Sequence, residues 1–226
     1  MKFIANFMDY KEQYKKQIIQ NLKNVLLELE TDDMKIKISN WANKFGYSFD
    51  TIKEKIISDE IFRCVFAKDP AKQNLYQTLA SKYISSLSMV SGFTILPSGG
   101  KDAVYLENGK LLTGKDLDTQ AKDTKSIDFM WKTGDFTFYA SHKYTETNGG
   151  AQDNQYKDVQ DFLKHCRDCN KKNTRFLAIC DGDYYLKKDS KTGDNTRLER
   201  LQRLTDNKTS FVLSINELAN FLENCK

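Results

Sequence analysis

No stretch of this sequence approaches the roughly 18 consecutive apolar residues that a membrane-spanning helix requires. The opening Met1-Lys-Phe-Ile-Ala-Asn-Phe-Met-Asp9 is too short and too soon charged for a secretory signal. Five cysteines, an odd number without framework-like spacing, exclude a disulfide scaffold and point to reduced thiols in a cytoplasm. Only two histidines occur, so a cysteine nucleophile has just His142 and His165 as possible partners. There is no P-loop, no Gly-x-Gly-x-x-Gly, no serine-hydrolase elbow, no internal repeat and no low-complexity segment. His165-Cys166-Arg-Asp-Cys169 has zinc-like spacing, but a structural zinc site takes four ligands. Of the remaining thiols, Cys64 and Cys180 stand in apolar runs that read as core. A net charge of +4 makes no global demand for a polyanionic partner.

What is present fits a globular α/β protein. The 226 residues, 39% hydrophobic and 29% charged, suffice for one large or two small domains. Lysines crowd the amino-terminal half and the segment 164–172, and Arg197, Arg200 and Arg203 recur at helical spacing. Such clusters suit phosphate contacts, although solvated helix faces carry the same pattern.

Residues 10 to 29 form an amphipathic repeat, with Ile18, Ile19, Leu22, Val25, Leu26 and Leu29 on the expected buried stripe. From Ile38 to Ile56 the spacing predicts two helices joined at Gly46, with Ala42 permitting close approach and Ile52 buried on the second. As a helix-turn-helix, this pair would present Thr51, Lys53 and Lys55 to DNA. A plain helical hairpin has the same spacing. Asp69-Pro70 restarts a helix with a stripe at Leu75, Leu79, Tyr83, Ile84 and Leu87. Asn108-Gly109 between two short apolar runs predicts a type I′ hairpin. The continuous run Arg175-Phe-Leu-Ala-Ile-Cys180 reads as a strand buried on both faces, and Ser214-Ile-Asn-Glu217 as a capping box. Hairpin, helix, strand, helix, strand and helix imply a mixed sheet flanked by helices from about residue 93 onward.

The chemistry concentrates between Ser126 and Asp158. Ser126-Ile-Asp-Phe-Met-Trp and Phe136-Thr-Phe-Tyr-Ala-Ser-His-Lys143 read as paired strands that bring Asp128 and Lys143 together at a sheet end. A carboxylate able to hold a divalent metal beside an ammonium able to activate water is the core of a metal-dependent phosphodiesterase site. Ser141 shares a strand face with Lys143 and stands where a second carboxylate is expected. Lys101, after Ser98-Gly-Gly, is placed either to contact a phosphate or simply to fill a turn.

Asp128, Lys143, the helix start from Gly149-Gly150 to Gln155, and Phe176-Leu-Ala-Ile-Cys-Asp-Gly182 resemble type II restriction endonucleases of the PD-(D/E)XK superfamily. The order of these segments, followed by an arginine-bearing helix and Leu213-Ser-Ile-Asn-Glu-Leu218, is similar to the cleavage regions of DpnII-like and FokI-like enzymes. The resemblance covers roughly residues 68 to 222. Ile127 stands where the superfamily often has proline, and Ser141 where it has Asp or Glu. Some restriction enzymes with Ser-x-Lys recruit a carboxylate from a neighbouring helix, a part open here to Glu146, Asp153 or Asp158. Where relatives add an upstream glutamate, this chain offers only Gln73 and Gln77.

The resemblance implies a helical region over residues 1–67, able to read DNA, and a restriction-endonuclease-like core over residues 68–226. It implies a homodimer that cuts both strands of duplex DNA with Mg²⁺ and leaves 5′-phosphates. Asp128 and Asp158 would hold the metal; Lys143, Ser141, Glu146 and Gln77 would complete the catalytic group. Gln152, Gln155 and Tyr156 would contact DNA, the Gln-x-x-x-Tyr spacing being that of some exonucleases of the superfamily. An exposed glutamine and a packing tyrosine are the plainer reading of that spacing. A non-catalytic helix-turn-helix protein with a degenerate nuclease core is the alternative, and a nuclease acting on RNA or free DNA ends is a third reading.

Overall fold

A computed structural model describes residues 8–116, 126–146, 150–167, 169, 171–188 and 193–225. The chain divides into two compact units, Asp9–Thr78 and Leu79–Lys226, the second including Met1–Met8.

The helical unit holds α1 (Tyr10–Leu27), α2 (Asp32–Phe45), α3 (Phe49–Ser58) and α4 (Glu60–Arg63). Side chains of Asp9, Thr31, Ser48 and Asp59 cap the four amino termini by accepting backbone N–H bonds. Gly46 ends α2 in the left-handed conformation, and Ile38, Ala42, Ile52 and Ile56 meet Val25, Leu29, Met34 and Phe66 in one core. The predicted helix pair is therefore present.

The stripe expected on α1 is narrower than its apolar residues suggest. Ile19 and Leu26 are exposed, whereas Asn21 is buried. Its amide donates to the Lys68 carbonyl (2.6 Å) and to Gln73 Oε1 (2.7 Å), so the buried line passes through a polar residue whose hydrogen bonds are met. Those bonds, with Tyr14 stacked on Tyr76, hold residues 68–76 to α1. The unit boundary consequently falls after Thr78 rather than at residue 67. Pro70–Gln73 is a 3-10 turn, Asn74 takes a left-handed backbone, and α5 (Leu75–Ser86) follows.

The larger unit is mixed α/β. Its five-stranded sheet has the order β1 (Ser91–Ile95), β4 (Phe129–Thr133), β5 (Phe136–Tyr144), β6 (Thr174–Asp181), β7 (Ser210–Leu213). The first two pairings are antiparallel and the last two parallel. Strands β2 (Val104–Glu107) and β3 (Lys110–Thr113) form a separate hairpin. Asn108 and Gly109 both have positive φ there, the backbone a type I′ turn demands. On one sheet face α6 (Gly150–Cys166) packs Val159, Phe162, Leu163 and Cys166 against Phe176, Ala178 and Cys180. α7 (Asp183–Leu186) and α8 (Arg197–Gln202) add Tyr184, Tyr185, Leu198 and Leu201 to that core. α9 (Leu218–Glu223), entered through the predicted capping box at Ser214, sets Phe221 edge-on to Phe138 and Phe211 of the other face.

β6 is buried along almost its whole length, as its unbroken apolar run predicts. At the outer edge of the sheet, the Gln202 side chain donates to the Val212 carbonyl (3.1 Å) and Asp206 Oδ1 accepts the Ser210 N–H (2.8 Å). Among the described residues, no helix is long and apolar enough to cross a membrane.

Candidate active site

Where β4 gives out, a carboxylate continues its work. Asp128 sits just before the first residue of β4, its backbone N–H donating to the Ala140 carbonyl and its carbonyl accepting from Leu96. Its Oδ2 accepts the His142 backbone N–H at 2.8 Å, so the side chain satisfies a donor that β4 is too short to reach. Ser141 and Lys143, two apart on β5, lie on one face of that strand. Asp128 thus lies within hydrogen-bond reach of Ser141 and within electrostatic reach of Lys143 at this end of the sheet. Burial pushes the Asp128 carboxyl up, while the His142 N–H, the Lys143 ammonium and a hydrogen bond from Ser141 pull it partly back.

The rim around this group is clamped by backbone contacts. Thr145, just past β5, donates its N–H to the Asp181 carbonyl (2.9 Å) and accepts the Tyr184 N–H (3.1 Å). Its hydroxyl donates to Gln155 Oε1 at 2.6 Å, tying α6 to the strand end. Gly182 has φ +93°, and a Cβ there would fall 2.1 Å from the Thr145 carbonyl oxygen. Only glycine fits that approach.

The remaining predicted residues spread around this rim. The Glu146 carboxylate accepts the Tyr144 hydroxyl. Asp153 accepts the Tyr184 hydroxyl at 2.8 Å, and the Arg197 guanidinium lies 4.1 Å over the same tyrosine ring. Asp158 is half-buried on α6, close enough to Tyr185 to help raise its phenol after burial and Cys180. Among the described residues, no three His, Cys, Asp or Glu side chains gather as a metal-holding group. Tyr156 packs against the core from α6, and Gln152 is half-buried one turn earlier. Lys101 is exposed in the turn before β2. Residues 147–149, including Gly149 of the motif, lie outside the described residues. Cys166 donates to the Phe162 carbonyl within the core, and His165 Nδ1 accepts the Asn108 N–H of the hairpin.

In the helical unit, Lys53 pairs with Glu30 at 2.5 Å and Lys55 with Asp59 at 2.9 Å. Thr51 shares a hydroxyl contact with Ser48 at 2.7 Å. All three side chains named for DNA reading thus have partners within their own unit. Gln77 lies half-buried on α5 of that unit.

One pair escaped the sequence. On the opposite face of β5 and β6, His142 Nε2 lies 3.9 Å from Asp181 Oδ2, both side chains buried. Asp181 also accepts the Ile215 N–H at 3.1 Å. Burial pushes its carboxyl up to about 7 and the His142 imidazole down to about 3. Desolvation governs both, so between about pH 4 and 6.5 the contact joins two mainly neutral groups rather than an ion pair. The available signal was the even spacing that turns His142 away from Lys143 and puts Asp181 at the end of an apolar strand.

The donor set can be tested against Mg²⁺. That ion keeps several waters and takes one or two carboxylates together with substrate phosphates. Asp128 supplies one carboxylate, raised by burial and therefore gaining from a nearby cation. With one carboxylate, a Mg²⁺ held here would have to complete its shell with water and substrate phosphate. No known protein family matches the chain, and no curated protein matches it significantly.

Proposed function

We propose that this chain is a Mg²⁺-dependent endonuclease acting on double-stranded DNA, of the restriction type whose motifs its sequence resembles. The observation that carries the reading is the gathering of the Asp128 carboxylate, the Ser141 hydroxyl and the Lys143 ammonium at one end of the sheet. In this reading Asp128 holds the metal, which supplies Lewis-acid polarisation of the phosphate when bound. Ser141 keeps the carboxylate aimed. Lys143, as an ammonium, orients water for in-line attack on phosphorus, and the proton the water loses passes through solvent to the departing O3′. The bond from phosphorus to O3′ breaks, leaving a 3′-hydroxyl and a 5′-phosphate. Two copies acting together would cut both strands, in a cytoplasm where the five thiols stay reduced.

Supercoiled plasmid incubated with the protein and Mg²⁺ tests this. Discrete linear fragments are expected, none without the ion, and none from Lys143→Ala at unchanged far-UV circular dichroism. Unchanged cutting by Lys143→Ala overturns the mechanism.

A second reading, a non-cleaving DNA-binding protein, is favoured by the serine at position 141 and by the single carboxylate beside Lys143. A mobility shift of the same plasmid without fragments, with or without Mg²⁺, selects it.

A further inference from the structure

The helical unit has a recess of about 410 Å³ between α2, α3 and α4. Small-ligand sites run roughly 300–1,000 Å³, so the space suits one nucleotide-sized group and excludes a duplex or a helix. One wall is aromatic. Trp41 lies 6.1 Å from Tyr47 with ring planes within 21°, and Phe62 meets it edge-on at 5.3 Å. Tyr47 remains 55% exposed despite these contacts, so its ring is open to a guest.

The facing wall is one side of α3, carrying Thr51, Glu54, Lys55 and Ser58. Thr51 and Ser58 use their hydroxyls locally, with Ser48 and the Glu54 carbonyl, yet each oxygen can accept again. Glu54 offers acceptors only. Lys55 is held by Asp59 in an exposed pair of the kind that contributes little and exchanges readily for a phosphate. A π-face, hydrogen-bonding groups opposite it and a cation at the rim are what a nucleotide requires. A purely apolar guest would leave the α3 wall unused.

The geometry points to this recess as the seat of a single unstacked nucleobase, held between the Trp41 and Tyr47 rings and the polar wall of α3, with its phosphate on Lys55. The inference rests on the chain being a DNA-acting protein and says how its helical unit engages that DNA: by taking a base out of the stack.

The test needs neither metal nor cleavage. The full chain is titrated with each of the four deoxynucleoside monophosphates in EDTA while tryptophan emission is followed. Trp131 is fully buried, so Trp41 is the reporter. Saturable quenching is expected, weakened roughly tenfold by Tyr47→Ala, as loss of one stacking ring implies, and kept by Tyr47→Phe. Lys55→Ala should weaken monophosphates but not the matching nucleosides. A chain that binds nucleotides but never cuts plasmid retains the pocket and loses the nuclease. No saturable change, equal affinity for cyclohexanol, or unchanged binding by Tyr47→Ala overturns the pocket.

Discussion

The backbone N–H of His142 donates to Asp128 Oδ2 across 2.8 Å, so the residue next to Lys143 fixes the carboxylate that Lys143 also attracts. Asp128 therefore completes the strand ladder and, in the proposed function, would also offer a metal ligand. Asp128→Asn keeps an acceptor for that N–H and loses the charge. It should fold with little change in melting temperature and abolish Mg²⁺-dependent cleavage. Asp128→Ala should also lose stability, by about 1–3 kcal/mol for the stranded donor. Urea titration of both variants separates the tasks; equal stability of the two would mean the bond contributes nothing.

Ser141→Asp puts a second carboxylate beside the first. Without metal the variant should melt several degrees lower, because two buried like charges repel. Adding Mg²⁺ should raise its melting temperature more than it raises that of the parent. A smaller rise in Ser141→Asp would show that no cation sits beside Asp128.

The buried His142 and Asp181 predict a flat stretch in the pH profile. Unfolded at pH 5, the aspartate is ionised and the histidine protonated, one proton between them. In the folded chain the carboxyl, up at about 7, keeps its proton and the imidazole, down at about 3, has none, again one proton. The pair thus adds no slope between about pH 4 and 6.5. Each single variant should expose the other residue. In Asp181→Asn, His142 alone makes stability fall as pH drops from 6.5. In His142→Asn, Asp181 alone makes stability fall as pH rises from about 4 towards 7. Each slope is at most about 1.4 kcal/mol per pH unit. Denaturation midpoints across this range check the opposite signs, and slopes of the same sign would refute the assignment.

Gly182→Ala should destabilise the larger unit by about 3 kcal/mol or more, since its φ is +93° and its Cβ would lie 2.1 Å from the Thr145 carbonyl oxygen. Thermal melting of the variant is the measure. A loss under about 1 kcal/mol would mean that the strand ends separate freely.

Asp206 is a local hub before β7, accepting backbone N–H bonds from Lys208 (3.0 Å), Thr209 (2.9 Å) and Ser210 (2.8 Å). Partial burial pushes its carboxyl up, but these bonds and the Thr209 hydroxyl outweigh that and hold it well below the usual range. Its folded pKa is depressed, so the stability it contributes is present above about pH 4 and is lost as pH falls further. Asp206→Ala should cost about 1–3 kcal/mol at neutral pH and flatten the acid limb of the melting curve. An unchanged acid limb would remove Asp206 from that role.

Much of the fold was legible because periodicity and end signals agree. Asn108-Gly109 demanded its turn, the Ser214 capping box fixed the start of the last helical segment, and the apolar run at 175–180 could only be an interior strand. The Asp128, Ser141 and Lys143 group was legible because strand pairing converts sequence spacing into proximity. What stayed hidden depends on polar groups inside. Asn21 on the buried line of α1 is invisible to a hydrophobic count, and it decides where the first unit ends. The nearness of His142 to Asp181 needed the parallel register of β5 on β6, which no local pattern specifies.

With the Val212 carbonyl taken by Gln202 and the Ser210 amide by Asp206, the rim formed by β7 offers little template for another chain. Sheet-to-sheet fusion of copies through that side is thereby discouraged. Growth of a sheet from this flank is hindered by side chains rather than by a shortage of strand.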